Sequence, residues 1–185
     1  MASSGNRLDE HTVQFVCLLP GPIERVWGHL ADGEKRGEWF ARGPLPKTAG
    51  EPFDMYLKHE TLSPNRAPPP PGYEALDQAG HHSHNVLLAC EPPHRLVIAL
   101  GPEAYEASEI EFELAREGDP RDREVRLTLT HRKIPNQPYA VEVSRGWHSY
   151  LTMLEHKLNG QNPPAFWDVF RQTEGFYERR YADAR

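Results

Sequence analysis

Cysteine is scarce in this chain: Cys17 and Cys90 are its two occurrences in 185 residues. Each lies in an apolar run, so each reads as a small buried hydrophobe and not as half of a disulfide. That usage fits a reducing compartment and a cytoplasmic protein. No apolar run approaches the roughly 20 residues that a membrane span needs. The opening "MASSGNRLDEH" has no apolar h-region, so no signal peptide is read there. Dense Lys/Arg clusters are missing and the net charge is −6, which argues against a nucleic-acid partner. A Gly-rich phosphate loop, a G-x-S-x-G elbow, an H-E-x-x-H and a C-x-x-C are also missing. Without a nucleophile constellation the reading leans away from an enzyme, and no cofactor is implied.

What is present is alternation followed by helical periodicity. The length predicts one domain, with roughly 70% of the unfolded chain's surface buried on folding. Residues 1–11 are polar and are expected to be disordered. Residues 12–19, "TVQFVCLL", alternate as a strand, with Val13, Phe15, Cys17 and Leu19 on one face. Pro22 then suits a helix start. Ile23, Val26, Trp27 and Leu30 share one helical face, with Gly33 as its stop and a second short helix over 34–39.

The middle predicts about six antiparallel strands. Phe53, Met55 and Leu57 share one side of a strand. Residues 63–84 read as a loop, with a polyproline II excursion at 68–71. "NVLLACEPPHRLVIAL" reads as strand, Pro-Pro turn, strand. The clearest hairpin puts Ile110, Phe112 and Leu114 on a dry face, opposite Glu109, Glu111 and Glu113 on a wet one. Its partner strand puts Val125, Leu127 and Leu129 inward and Arg126 outward, where it meets the acidic face.

The end is helical. Val143, Trp147, Leu151, Leu154 and Leu158 form one stripe over 140–159, and Gly160 is the stop. Phe166, Phe170, Tyr177 and Tyr181 predict one further helix over 165–181. The fold class is α+β: a curved antiparallel sheet whose dry face is covered by the long C-terminal helix. Two short helices follow the first strand, and one extra helix closes the chain. A sheet wrapped around one long helix leaves room for a ligand between them.

Four motifs carry a family resemblance. "PGPIERVWGHLADGEKRGEWF" resembles the A-P-x-x-x-V-W-x-x-L…W-F opening of the SRPBCC (START-like, Bet v 1-like) superfamily. More closely it resembles the branch named after the Hsp90 ATPase activator homology domain. "CEPPHRLVIAL", "EVRLTLTHRKIP" and "RGWHSYLTMLEHKLNG" match that branch in the same order. The resemblance implies a helix-grip fold over residues 12–160 with a mostly apolar cavity, and residues 161–185 as an aromatic helical extension. Two departures bear on the cavity mouth: the "PPPPG" loop is longer, and Leu100 replaces the family's Trp. The branch name implies an Hsp90-type ATPase as a chaperone partner, while other START-like domains bind small molecules or catalyse cyclisation.

The candidate site residues follow from parity and element ends. His131 continues the inward parity of Val125, Leu127 and Leu129, so its imidazole can bond a ligand carbonyl or act as a general base. The competing reading is a core-edge histidine bonded to backbone. Trp39, Phe40, Phe53, Met55, Phe112, Leu129, Trp147 and Leu151 are the expected ligand-binding residues beside it, and Tyr105 is a further aromatic candidate. Trp27 is assigned to plain core packing. His82 and His84 would share a strand face and are the weak metal candidates, with His59, Glu60 or His94 as added ligands. The bland alternative is a solvated loop. Glu109, Glu111 and Glu113 are not read as a catalytic pair, since alternation puts them on the wet face.

The leading functional expectation is binding of a small hydrophobic or aromatic ligand between sheet and long helix. The alternatives are a co-chaperone-like activator of an Hsp90-type ATPase, and a cyclase or hydrolase using His131. The aromatic tail either packs back on the sheet or forms a homodimer face.

Overall fold

The computed structural model describes residues 4–101, 108–118 and 124–182. Among these, seven strands form one antiparallel sheet: β1 (Asn6–Asp9), β2 (Thr12–Pro20), β3 (Pro52–Leu57), β4 (His81–Glu91), β5 (Arg95–Leu100), β6 (Ser108–Glu117) and β7 (Glu124–Arg132). Their order in space is β1-β2-β7-β6-β5-β4-β3. Helices α1 (Ile23–Ala31) and α2 (Gly33–Arg36) link β2 to β3, and α3 (Glu74–Ala79) precedes β4. Three helices close the chain: α4 (Gln137–Leu158), α5 (Phe166–Gln172) and α6 (Phe176–Ala182). This is the expected α+β helix-grip architecture.

Binary patterning builds the inner face. Val13, Phe15 and Leu19 of β2, Leu127 and Leu129 of β7, and Ile110 and Phe112 of β6 are all buried. They meet Trp147, Leu151, Leu154 and Leu158 of α4 in one core. Asn136 starts α4, its side chain accepting from the Tyr139 amide at 2.9 Å, which satisfies an N–H that the helix cannot. Gly160, at φ +67°, ends it in the left-handed conformation that glycine adopts freely.

Several expectations need correction. Residues 6–9, expected to be disordered, form the edge strand β1 against β2. Two strands precede α1 and five follow α2, where about six were expected in the second group. Asp32, not Gly33, marks the end of α1, and its side chain accepts from the Glu34 and Lys35 amides to start α2. Gly33 opens α2 because a Cβ there would lie 2.4 Å from the Gly43 carbonyl oxygen. The stretch 63–84 is not all loop: it holds α3, and His81–His84 already belong to β4. The tail is two helices, broken at Gly175 with φ +67°. Cys90 is exposed and Cys17 half-buried, and both are free. Burial pushes the Cys17 thiol up to about 12.

The outer face also differs at one point. Glu111 is 6% exposed, not wet. Arg95 and Arg132 each reach it at 2.6 Å from neighbouring strands. Burial acts to raise its pKa, but the bonds from these two guanidiniums outweigh that and hold the carboxyl below the ordinary range. It is a structural ion pair.

Candidate functional site

The site begins with what α4 leaves open. Gly146 stands one residue before Trp147 and presents no side chain. Around it lies a cavity of about 210 Å³, walled by Phe40, Trp147, Tyr150 and Phe166, with His131 and His59 at its boundary. Phe40 contacts both Trp147 and Tyr150, at ring-centroid separations of 5.0 and 5.1 Å. Tyr150 in turn meets Phe166 at 4.9 Å. The elements that supply these rings are the segment after α2, α4 itself, and α5.

Phe40 is held by a buried cation. Arg36 is fully buried and donates to the carbonyls of Leu30, Ala41 and Gly43. The Leu30 carbonyl belongs to the last turn of α1, where the helix dipole favours a positive group. Burial lowers the Arg36 pKa to about 10, so the guanidinium stays charged at neutral pH. This anchor turns the chain after α2 so that Trp39 enters the core and Phe40 faces the cavity.

His131 is 2% exposed and sits at the sheet end of the cavity. The Trp147 indole N–H donates to its Nδ1 at 3.0 Å. Indole nitrogen can only donate, so Nδ1 carries a lone pair and the ring is neutral. Burial also drives its pKa down to about 4. The ring proton is therefore on Nε2, and that N–H has no partner among the described residues.

His59 is the second buried imidazole, in a 3-10 turn at His59–Thr61. Its Nε2 lies 3.0 Å from the Tyr150 hydroxyl, and its Nδ1 is without a partner among the described residues. Burial lowers its pKa to about 4, against a smaller opposing effect of Asp77. The Tyr150 hydroxyl is pushed up, by burial first and then by Glu142. Tyr73 bonds Glu142, and Trp167 donates to Asp77 at 2.6 Å. These two bonds tie α3 and its flank across α4 and α5, so that Tyr73 and Leu76 come to line the cavity.

Phe40, Leu100 and Tyr139 are shared with a larger adjoining pocket of about 810 Å³, which Met55 also lines. Of the expected residues, Phe40, His131 and Trp147 border the smaller cavity, and Phe40 and Met55 the larger pocket. Trp39, Phe112, Leu129 and Leu151 are instead buried core residues. Trp39 bonds the His29 carbonyl and packs edge-on against Phe112. Phe53 is half-buried beside the core, as is Trp27. Tyr105 lies outside the described residues.

The histidine candidates for metal are not brought together. His82 stacks on Tyr56 at 4.3 Å and His84 meets Asp54 at 2.5 Å, both on the exposed face of β3 and β4. His94 stands in the turn before β5, near the Leu114 carbonyl. Among the described residues no group of three or more His, Cys, Asp or Glu could hold a metal ion. No helix among them is long and apolar enough to cross a membrane.

Sequence reasoning missed Tyr150, Tyr73 and Trp167, and weighed His59 only as one of three added ligands for a metal. Tyr150 had a signal: it is three residues beyond Trp147, and so on the same helical face. His59 and Tyr73 had none, because their places depend on how loops cross α4.

A sheet gripping one helix over an aromatic cavity defines a START-like protein. The chain belongs to the family described as Activator of Hsp90 ATPase homolog 1-like protein, whose model matches residues 20–159, within the SRPBCC superfamily. It is similar to a Bordetella parapertussis protein of known solution structure, with 41% identity, covering 96% of this chain and 90% of that one, at TM-score 0.78. The fold is shared with CalU16 from Micromonospora echinospora at 20% identity, 96% and 94% coverage and TM-score 0.64. It is shared also with a conserved Enterococcus faecalis protein of unknown function, at 13% identity, 98% and 92% coverage and TM-score 0.65. Among curated proteins no match to the chain is found.

Proposed function

We propose that this protein binds a compact, mainly aromatic small molecule in the cavity beside α4, oriented by His131. The observation that carries the reading is the buried, unpartnered Nε2–H of His131. Leaving such a donor unmatched costs on the order of 1–3 kcal/mol, and a ligand acceptor in the cavity would recover it. Size supports the same reading. An apolar cavity of roughly 150 Å³ is enough to take up benzene, so about 210 Å³ accommodates one or two rings. The lining of Phe, Tyr and Trp offers ring faces and edges to an aromatic guest.

The proton on Nε2 weighs against His131 as a general base, since the one ring nitrogen without a partner is a donor. The ligand-binding reading is therefore preferred over a cyclase or hydrolase. It is also preferred over a chaperone-activating role, which rests on the family's description. The test is a calorimetric titration of the full chain with indane and with naphthalene. Saturable binding with quenching of tryptophan fluorescence is expected. No heat and no quenching up to the solubility limit of both probes would overturn the reading.

A further inference from the structure

The polar atoms around the cavity are not a random set. His131 offers Nε2–H, as the indole bond to Nδ1 requires. For His59 the contact with the Tyr150 hydroxyl can be arranged in two ways. If His59 donates, both the Tyr150 hydrogen and the Nδ1 lone pair are left without partners. If Tyr150 donates, the ring proton moves to Nδ1 and one donor is left over. The second arrangement leaves fewer buried groups unmatched, so it is the one assigned.

Both imidazoles border the cavity, and in each the unpartnered ring nitrogen then carries an N–H and no lone pair. They flank a continuous wall, because Trp147 and Tyr150 stand one turn apart on α4 with ring centroids 5.8 Å apart. Trp147 bonds one histidine and Tyr150 the other. The carboxylate that reaches the cavity, Glu142, already accepts from Tyr73. Its charge opposes an anionic guest.

We propose that the ligand is a neutral aromatic molecule with two acceptor oxygens, of the dicarbonyl or quinone class, held between the N–H groups of His131 and His59. The proposal rests on the cavity being a binding site, as inferred above. A hydroxylated ligand that must donate finds no acceptor at either histidine.

The experiment compares N-methylphthalimide, which has two carbonyl acceptors and no donor, with indane, which shares its bicyclic frame and has neither. Calorimetry on the full chain is expected to give at least tenfold tighter binding of the imide. His131→Phe and His59→Phe are each expected to weaken the imide roughly five- to tenfold and to leave indane within twofold. Equal affinity for the two probes in the unsubstituted protein would overturn the proposal while leaving the binding site intact. So would variants that weaken both probes alike. Failure of both probes to bind would overturn the site itself. The comparison of probes needs no variant, so it stands even if a substitution impairs folding.

Discussion

Trp147 fixes the proton of His131. Its indole N–H ends on Nδ1 at 3.0 Å, and the other ring nitrogen, unpartnered among the described residues, is a donor as a result. Removing the imidazole then does two things: it strips the donor from the cavity, and it leaves a buried indole N–H unmatched. His131→Phe is expected to lower stability by about 1–3 kcal/mol, read by chemical denaturation. His131→Gln, which can accept from Trp147 and still donate, is expected to recover most of that loss. If the two variants are equally stable, the indole bond contributes little.

Acid sensitivity follows from the two neutral imidazoles. Both pKa values fall from 6.5 to about 4 on burial. Between those limits the unfolded chain binds protons that the folded chain does not, so stability rises with pH. The full contribution is present above about pH 6.5 and is lost as pH falls toward 4. The loss is expected to be roughly 3 kcal/mol for each histidine. Urea midpoints measured from pH 7.5 to 4.5 should fall, and the double variant His59→Phe with His131→Phe should flatten the profile over that range.

Gly146 separates binding from folding. A Cβ there would meet only the Tyr150 ring edge, at 3.5 Å, an ordinary contact. Gly146→Ala should therefore stabilise α4 by about 1 kcal/mol through helix propensity. Gly146→Leu should push its branch into the cavity and abolish binding of indane-sized probes while the protein stays folded. Undiminished binding in Gly146→Leu would place the ligand elsewhere.

Arg36 is expected to matter to the site from a distance. Its guanidinium serves three carbonyls at once, which the single ammonium of lysine cannot reproduce. Arg36→Met should cost about 3 kcal/mol, because buried carbonyls lose their donors. Arg36→Lys should fall between. Both should loosen the Phe40 wall and weaken probe binding. Stability close to that of the unsubstituted protein in Arg36→Met would contradict this assignment.

Much of this fold was legible because strand alternation and one helical stripe are local signals. Ile110, Phe112, Leu127 and Leu129 needed only parity to be placed inward, and α4 needed only its period. His131 was found in the same way. Glu111 was misjudged because parity reports the face of a strand, not whether flanking arginines fold over that face. Trp39 and Phe40 were treated alike, yet the Arg36 anchor sends one to the core and the other to the cavity. His59, Tyr73 and Trp167 meet only when residues 59–80 cross α4 and α5, a contact between distant segments that no period encodes. The tail was read as one helix because its aromatics keep helical spacing, and Gly175 breaks the backbone without disturbing that spacing.

The most direct test of His131 as the orienting group is the ¹⁵N spectrum of its ring, recorded near neutral pH with and without a saturating bicyclic aromatic dicarbonyl. The proton is expected on Nε2 and the lone pair on Nδ1 in the free protein. The Nε2–H resonance is then expected to shift, and its exchange with water to slow, as the probe binds. A proton found on Nδ1, or a ring spectrum unchanged at saturation, would contradict the assignment.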